Sequence, residues 1–487
     1  MGVVAKQSVL NMLVTYLGFA FGALNTLFLF THILSSEDYG IVSYLLASAN
    51  LLWPVLVLGA NHTLIKFGGA YTSLTAKNIL FTKIVMVPIF VWSVLVILFF
   101  ALKSFIFQKY LSSNPALIDY IWLIGVIGLC TAYFEIFYAW SKVHLKSILG
   151  NLLKELYHRV GITLLLILVY LDYCTAHEAI YALSLLFFTR TLLMFFVVCR
   201  IQKPKLIWKP LENTRTIVSY SLLILLAATV SVFLVDLDKL MIEDFMPVRN
   251  VAIYSICVYM AAVVEVPTRA MHQITHPLTA KLMAAPVDYV ALNTLNKKTA
   301  FTAFIVVSWI AILIIFNVED LFRLIPSHYE LHFLVVFLMC LVKAFNASMG
   351  ITNSLVFNSD SYVWILAFGV CVFVLAYFLN IYFIPIYGLD GAAIATFISY
   401  SLYNIARLIF VYSKFGIHPY SIKVFWVLVV SLLIGVCFYS YFPKLTVYPL
   451  LQVSFRAFFL SIVYWGVIYS LGYFSPFKAL LLAKRKG

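Results

Sequence analysis

Charge is what this chain lacks most. Asp, Glu, Lys and Arg make up 11% of its 487 residues, whereas a soluble domain carries roughly 25%. So few charges cannot coat a water-facing surface. With 64% of residues apolar and a mean hydropathy of +1.02, a water-soluble fold would expose apolar patches everywhere, so the chain is an integral membrane protein. Cysteine is scarce as well. Six of the seven (Cys130, Cys199, Cys257, Cys340, Cys371 and Cys437) lie in apolar runs and Cys174 at a boundary. No disulfide framework and no metal-ligand spacing is available, and small apolar packing residues are the expected role. Long polar stretches are missing too. The longest are 200–215, 279–298 and the 13-residue tail, which leaves no room for a soluble domain. No P-loop, GxSxG or HExxH pattern and no DxD-like sugar-nucleotide site is read, so ATP is not a local energy source and no enzyme site is assigned.

What is present is apolar length. Runs of about 20 residues, enough to cross roughly 30 Å of hydrocarbon, occur at 9–30, 41–64, 79–101, 117–139, 151–171, 177–199, 216–236, 250–273, 299–318, 332–356, 363–384, 391–412, 424–442 and 450–474. They are continuously apolar rather than alternating, so fourteen membrane-spanning helices are expected. The first run is too long for a signal-peptide core and is read as a retained span. Counting Lys and Arg in the connections sets the orientation. With the N-terminus cytoplasmic, 19 fall on the cytoplasmic side and 6 on the other, so both termini are placed in the cytoplasm. The net charge of +14 then reflects this bias and contact with anionic lipid heads; no nucleic-acid partner is needed.

The segment "KPKLIWKPLENTR" falls between spans six and seven. It divides the chain into an N-lobe (1–199, spans 1–6), a linker (200–215), a C-lobe (216–412, spans 7–12) and two appended spans with a basic tail (413–487). The hairpins "VYLDYCTAHEAIYA" and "IPIYGLDGAAIATF" are weakly alike, as expected for a parallel repeat of two six-span halves.

A charge at the centre of a membrane helix costs at least about 2.5–3.5 kcal/mol, so it faces protein or a water-filled cavity. Eight cations remain inside spans: Lys83, Lys154, Arg159, Arg190, Arg269, Lys343, Arg407 and Arg456. Four acids lie within or beside spans: Glu135, Glu155, Asp236 and Glu265. The excess of positive charge suits an anionic substrate. Lys83 and Lys154 sit near span ends, where they can instead snorkel to the interface. Glu155 and Arg159 are four residues apart, as are Glu265 and Arg269, so each pair is either a structural bridge or part of a site. Pro267, between the second two, frees the Val263 carbonyl and is expected to kink the helix, making Glu265, Pro267 and Arg269 either a bundle staple or a gate. Lys343 has no acid at i±4 and cannot reach an interface; it and Arg190 are the sharpest candidates. His272 and His276 are read as solvated interfacial groups rather than metal ligands.

Four segments resemble a known family. "LNIYFIPIYGLDGAAIATFIS" (379–399) resembles the polysaccharide flippases, the Wzx-type branch of the multidrug/oligosaccharidyl-lipid/polysaccharide (MOP) exporter superfamily. "LFLFTHILSSEDYGIVSYLLA" and "DLDKLMIEDFMPVRNVAIYS" resemble that family's turns after spans one and seven, and "EVPTRAMHQITHP" a variant of its span eight. The resemblance implies two six-helix lobes in a V around a central cationic cavity. It implies movement of undecaprenyl-diphosphate-linked oligosaccharide from the cytoplasmic to the periplasmic leaflet of a bacterial inner membrane by alternating access. Such a protein works without a cofactor, coupled at most to Na+, H+ or the membrane potential, beside a polysaccharide polymerase and chain-length machinery. Related lipid II flippases use arginines in the first two spans, and many relatives carry a cation early in span eight. Here spans one and two have no Arg or Lys between Gln7 and Ile65, and Tyr259 stands in span eight. The grip on substrate would come from Arg190, Arg269, Lys343 and Arg407, with Arg159 beside them, and coupling or gating from Glu265, Pro267 and Glu135. A cation-coupled drug exporter would want acids to dominate the cavity. A membrane polymerase or ligase would want a large external loop with catalytic residues. Both stay open as alternatives.

Overall fold

The structure is a computed structural model that describes residues 3–144, 146–210, 213–283, 286–359, 362–441 and 448–473. Lys444 and the basic tail (Lys478, Lys484, Arg485 and Lys486) lie outside the described residues. Contacts divide the chain into two compact units.

The first unit, Met1–Ser255 with Gly369–Ala392, begins with α1 (Val3–Ala23), a π-helical turn (Leu24–Leu29) and α2 (Phe30–Ile33), followed by α3 (Ser36–Val57), α4 (Ala60–Ala70), α5 (Leu74–Ala101), α6 (Lys103–Ser113) and α7 (Ile121–Val143). Next come α8 (Ile148–Leu152), a π-helical turn (Leu153–Tyr157), α9 (His158–Tyr170), α10 (Ala176–Gln202) and α11 (Thr214–Phe245). The second unit, Ile256–Phe368 with Ala393–Gly487, takes the second half of α12 (Arg249–Ala262), a 3-10 turn (Val263–Glu265), α13 (Val266–Met283), α14 (Tyr289–Phe322), α15 (Phe333–Ser348) and α16 (Thr352–Phe357). α17 (Tyr362–Tyr387) from Gly369 onward and the start of α18 (Leu389–Phe415) return to the first unit, whereas the rest of α18, α19 (Ile422–Tyr441) and α20 (Pro449–Ser470) belong to the second.

The described residues of the apolar runs fall mostly on helices, singly or in succession. Among the described residues ten helical stretches are long and apolar enough to cross a membrane, with shorter apolar helices at Phe333–Ser348 and Ile422–Phe438. The runs 151–171 and 216–236 fall on α8–α9 and on α11. Many large side chains face outward, among them Phe90 at 71% and Phe100 at 67% exposure. That is what a surface solvated by hydrocarbon requires.

The interruptions are managed as an apolar solvent demands, with freed backbone groups met by a neighbour. Between α3 and α4 the chain turns through Leu58 and Gly59, both at positive φ, and Ser221 donates to the Leu58 carbonyl at 2.8 Å. Between α15 and α16 Gly350 has φ +57°, and the Asn296 side chain accepts from the Ile351 N–H at 2.9 Å. In the 379–399 motif α17 runs through Pro385 to Tyr387, and Gly388 (φ +59°) makes the turn. A Cβ on Gly391 would run into the Phe383 carbonyl, so this glycine sets how closely the helices meet. The first unit's core gathers around Trp140, Phe81, Leu80 and Met194; in the second, Tyr464, Leu460 and Ile305 fill the space among α14, α19 and α20.

Candidate functional site

The helix that carries "VVEVPTRAMHQ" does not run straight. α12 gives way to the 3-10 turn Val263–Glu265, and α13 begins one residue before Pro267. A proline cannot donate to the carbonyl four residues back, and a tightened turn ahead of it is the local answer. Glu265 ends that turn, and its carboxylate is shared three ways. Oε2 lies 3.1 Å from Lys343 Nζ of α15 and 3.5 Å from Arg269 Nη2, while Oε1 accepts from Asn346 Nδ2 at 3.1 Å. Lys343 and Asn346 are three residues apart, so one face of α15 supplies both donors. The Glu265 and Lys343 side chains are 17% and 18% exposed, whereas Arg269 is 52% exposed. Arg269 is thus the outer and loosest partner. The tighter bond, to Lys343, crosses between helices and is invisible in sequence spacing. One acid against two cations leaves the cluster positive.

Arg407, on α18 in the same unit, makes no ion pair among the described residues. It is 2% exposed, its guanidinium lies 4.8 Å from the Tyr403 ring, and Nε and Nη2 have no hydrogen-bond partner. Arg190 of α10, in the first unit, is 4% exposed and sits over the Phe134 and Phe187 rings at 4.4 and 4.5 Å. Its Nη2 donates to Thr131 Oγ1 at 3.2 Å and its Nε has no partner. Aromatic faces stabilise a desolvated guanidinium by about 2 kcal/mol, well short of a carboxylate. Glu135, with its side chain 8% exposed, is paired with Lys154 Nζ at 2.6 Å. Lys154, near a span end, thus turns its ammonium to Glu135 while its side chain stays 40% exposed. Arg159 bonds Glu155 at 3.2 Å just after the second π-helical turn, against which α1 passes closely enough at Gly18 that a Cβ would meet the Glu155 carbonyl at 2.5 Å. The structure thus brings Glu265, Pro267, Arg269 and Lys343 together. Glu135 joins Lys154, Arg159 joins Glu155, and Arg190 and Arg407 form no ion pair among the described residues.

Several polar residues escaped the sequence reading because they lie on helix ends that hydropathy assigns to loops. α14 continues to Phe322, and there Asp320 binds Arg323 at 3.0 Å and also Arg456 of α20. Arg456, counted among the uncompensated cations, is in fact paired. α11 continues to Phe245, so Asp238 and Glu243 are buried helical residues. Asp238 accepts from the Tyr254 hydroxyl at 2.5 Å and from Asn380 at 3.0 Å, and Glu243 accepts from Asn114 at 2.9 Å. His272 is not solvated as expected. Its Nδ1 is buried without a partner, and its ring lies 5.1 Å from that of His276.

No protein-family model matches the sequence, and no curated protein sequence matches it. Among solved structures the fold is similar to the lipid II flippase MurJ in an inward closed conformation. The TM-score is 0.69 at 14% identity, with 95% of this chain and 99% of that chain covered. It is similar to an inward-facing multidrug resistance MATE family transporter of the MOP superfamily, with a TM-score of 0.65, 13% identity and 84% and 98% coverage. It is also similar to the MATE multidrug transporter DinF-BH, with a TM-score of 0.51, 15% identity and 84% and 95% coverage. At such identities the likeness is one of fold: this multi-pass membrane protein has the all-helical architecture of MurJ and the MATE transporters.

Proposed function

We propose that the chain is a flippase that moves undecaprenyl-diphosphate-linked oligosaccharides across a bacterial inner membrane, from the cytoplasmic to the outer leaflet, by alternating access. The observation that carries this reading is buried positive charge without an ion pair: Arg190 and Arg407 are almost fully enclosed and neither has an ion-pair partner among the described residues. Desolvated guanidiniums of this kind stabilise an anionic substrate and oppose a cationic one, which a drug exporter must carry. One of the similar structures is a lipid II flippase, a protein whose name states the same class of cargo. Two six-span halves, two appended spans and cytoplasmic termini complete the reading, on the 19-to-6 cation split.

In this mechanism Glu265 holds Lys343 and Arg269 while the site is empty. The diphosphate brings charge that competes for both cations, so the carboxylate is released. α13, already broken at the 3-10 turn before Pro267, is then biased between two arrangements. The energy for net movement comes from an ion gradient, the membrane potential or consumption of the product outside by a polymerase; no cofactor is involved.

The test is the pool of lipid-linked oligosaccharide after depletion of the protein, measured by mass spectrometry with leaflet accessibility scored. Complete repeat units trapped on the cytoplasmic side establish the flippase. Single units accumulating on the outer face reassign the chain as a polymerase, and an unchanged pool with new sensitivity to cationic drugs makes it an exporter. If R269A and K343A both keep full surface-polysaccharide output at normal protein level, the roles of these two residues are wrong.

A further inference from the structure

We infer that Arg407 and Asn404 of α18, with the polar face of α13, form a phosphate-binding site in the second unit. Arg407 and Asn404 are three residues apart and share a helix face. Asn404 is 1% exposed, and neither its Nδ2 nor its Oδ1 has a partner. Most other buried amides of this unit use at least one atom: Asn296 binds Ile351 N and Asn317 binds the Leu313 carbonyl. The two unpartnered nitrogens of Arg407 are Nε and Nη2. They form the side edge of the guanidinium, whose parallel N–H bonds match two oxygens of one phosphate. Its flat face is already taken by Tyr403.

α13 answers from a neighbouring position. Thr268, His272 and Thr275 fall at i, i+4 and i+7, one stripe of the helix. Thr268 Oγ1, His272 Nδ1 and Thr275 Oγ1 are all buried without a partner. His272 lies within electrostatic reach of Arg407, as does Tyr420. Val411, one turn after Arg407, and Leu282 of α13 belong to one apolar cluster with Leu292 and Leu355. The acid nearest in sequence, Glu265, is committed to Lys343, Arg269 and Asn346. A native interior leaves few polar groups unpaired, because each costs free energy and a buried charge costs most. A concentration of them on two helices of one unit, a guanidinium edge among them, is the signature of a ligand whose oxygens complete the set. The site is shut off from solvent, so the ligand enters when the helices part. A phosphate group is available from two sources, the diphosphate of a lipid-linked substrate or a phospholipid headgroup. Assigning it to the substrate rests on the function proposed above; the site itself does not.

The experiment uses the purified full-length chain in detergent. Binding of inorganic pyrophosphate, farnesyl diphosphate and phosphatidylglycerol is measured by calorimetry on wild type, R407Q, R407K and N404L, each checked for monodispersity. Wild type is expected to bind pyrophosphate and farnesyl diphosphate. R407Q is expected to weaken both about tenfold or more, the effect of losing a charge-assisted pair of bonds. R407K should fall between, because it keeps charge and loses the fork. If R407Q does not fold, R407K and N404L carry the test. Binding of phosphatidylglycerol alone, lost in the same variants, keeps the site and assigns it to membrane lipid. Unchanged affinity in all folded variants, or no binding of any of the three probes by wild type, overturns the site. Pyrophosphate affinity lost in R407Q with normal surface-polysaccharide output would keep the site and sink the flippase reading, whereas retained affinity with lost output would do the reverse.

Discussion

Replacing Glu265 by Gln is the most informative perturbation of the charge cluster. The substitution keeps size and the hydrogen bond with Asn346 but removes the acid that Lys343 touches, 3.1 Å away and on a side chain 18% exposed. Leaving one partner of such a pair uncompensated costs about 3 kcal/mol, the lower end for a broken buried pair and close to the cost of a lysine at a helix centre. Arg269, at 3.5 Å and 52% exposed, adds well under 1 kcal/mol after solvent screening. K343M is milder at about 1 kcal/mol, because Glu265 keeps Arg269 and Asn346. In the double variant E265Q/K343M no buried charge is stranded, so its total cost is again about 1 kcal/mol. The coupling between the two sites is then about 3 kcal/mol, at the upper end for a contacting pair. The assay is a double-mutant cycle on unfolding free energy in mixed micelles. E265Q no worse than K343M, or a double variant as damaged as the two singles combined, would refute the pairing and with it the account of how Glu265 holds the site.

Three further outcomes follow from the geometry. D320N should destabilise more than R456M. The first removes a carboxylate that two arginines share, whereas the second leaves Asp320 bound to Arg323; the protease resistance of α20 reports the difference. G391A should cost about 1–3 kcal/mol in the same micelle unfolding assay, because the added Cβ meets the Phe383 backbone, which cannot rotate away. At His144, in the loop after α7, burial and then the charges of Lys77 and Lys146 hold the imidazole below its ordinary value of 6.5. The unfolded chain therefore takes up a proton first, and stability is lost as pH falls through 6.5 toward the lower folded value. An NMR titration of this histidine should show its midpoint rise in K146A, and an unchanged midpoint would remove Lys146 as a cause.

The placement of helices was legible in the sequence because composition left no other solution. With so little charge the chain must satisfy its backbone internally, and the apolar runs mark where it does so. The pair of Glu265 and Arg269 was legible too, because both residues sit on one stretch of helix and spacing alone decides which faces coincide. The expected break before Pro267 needed only the missing N–H. What the sequence could not decide was any bond between helices. Lys343 had no acid within a turn of its own helix, and its partner Glu265 lies three helical elements earlier in the chain. Arg456 looked unpaired for the same reason, and the bond of Lys154 to Glu135 was hidden because the distance between them is a property of packing. Hydropathy also ended helices where charges began, so Asp238, Glu243 and Asp320 were read as loop residues although α11 and α14 carry them. Local periodicity thus determined which segments are helical and which charges share a face. The tertiary structure alone decided which charges are neutralised, which remain bare, and that Arg407 and Asn404 are sealed together without partners, because those facts depend on distances between segments that no local pattern encodes.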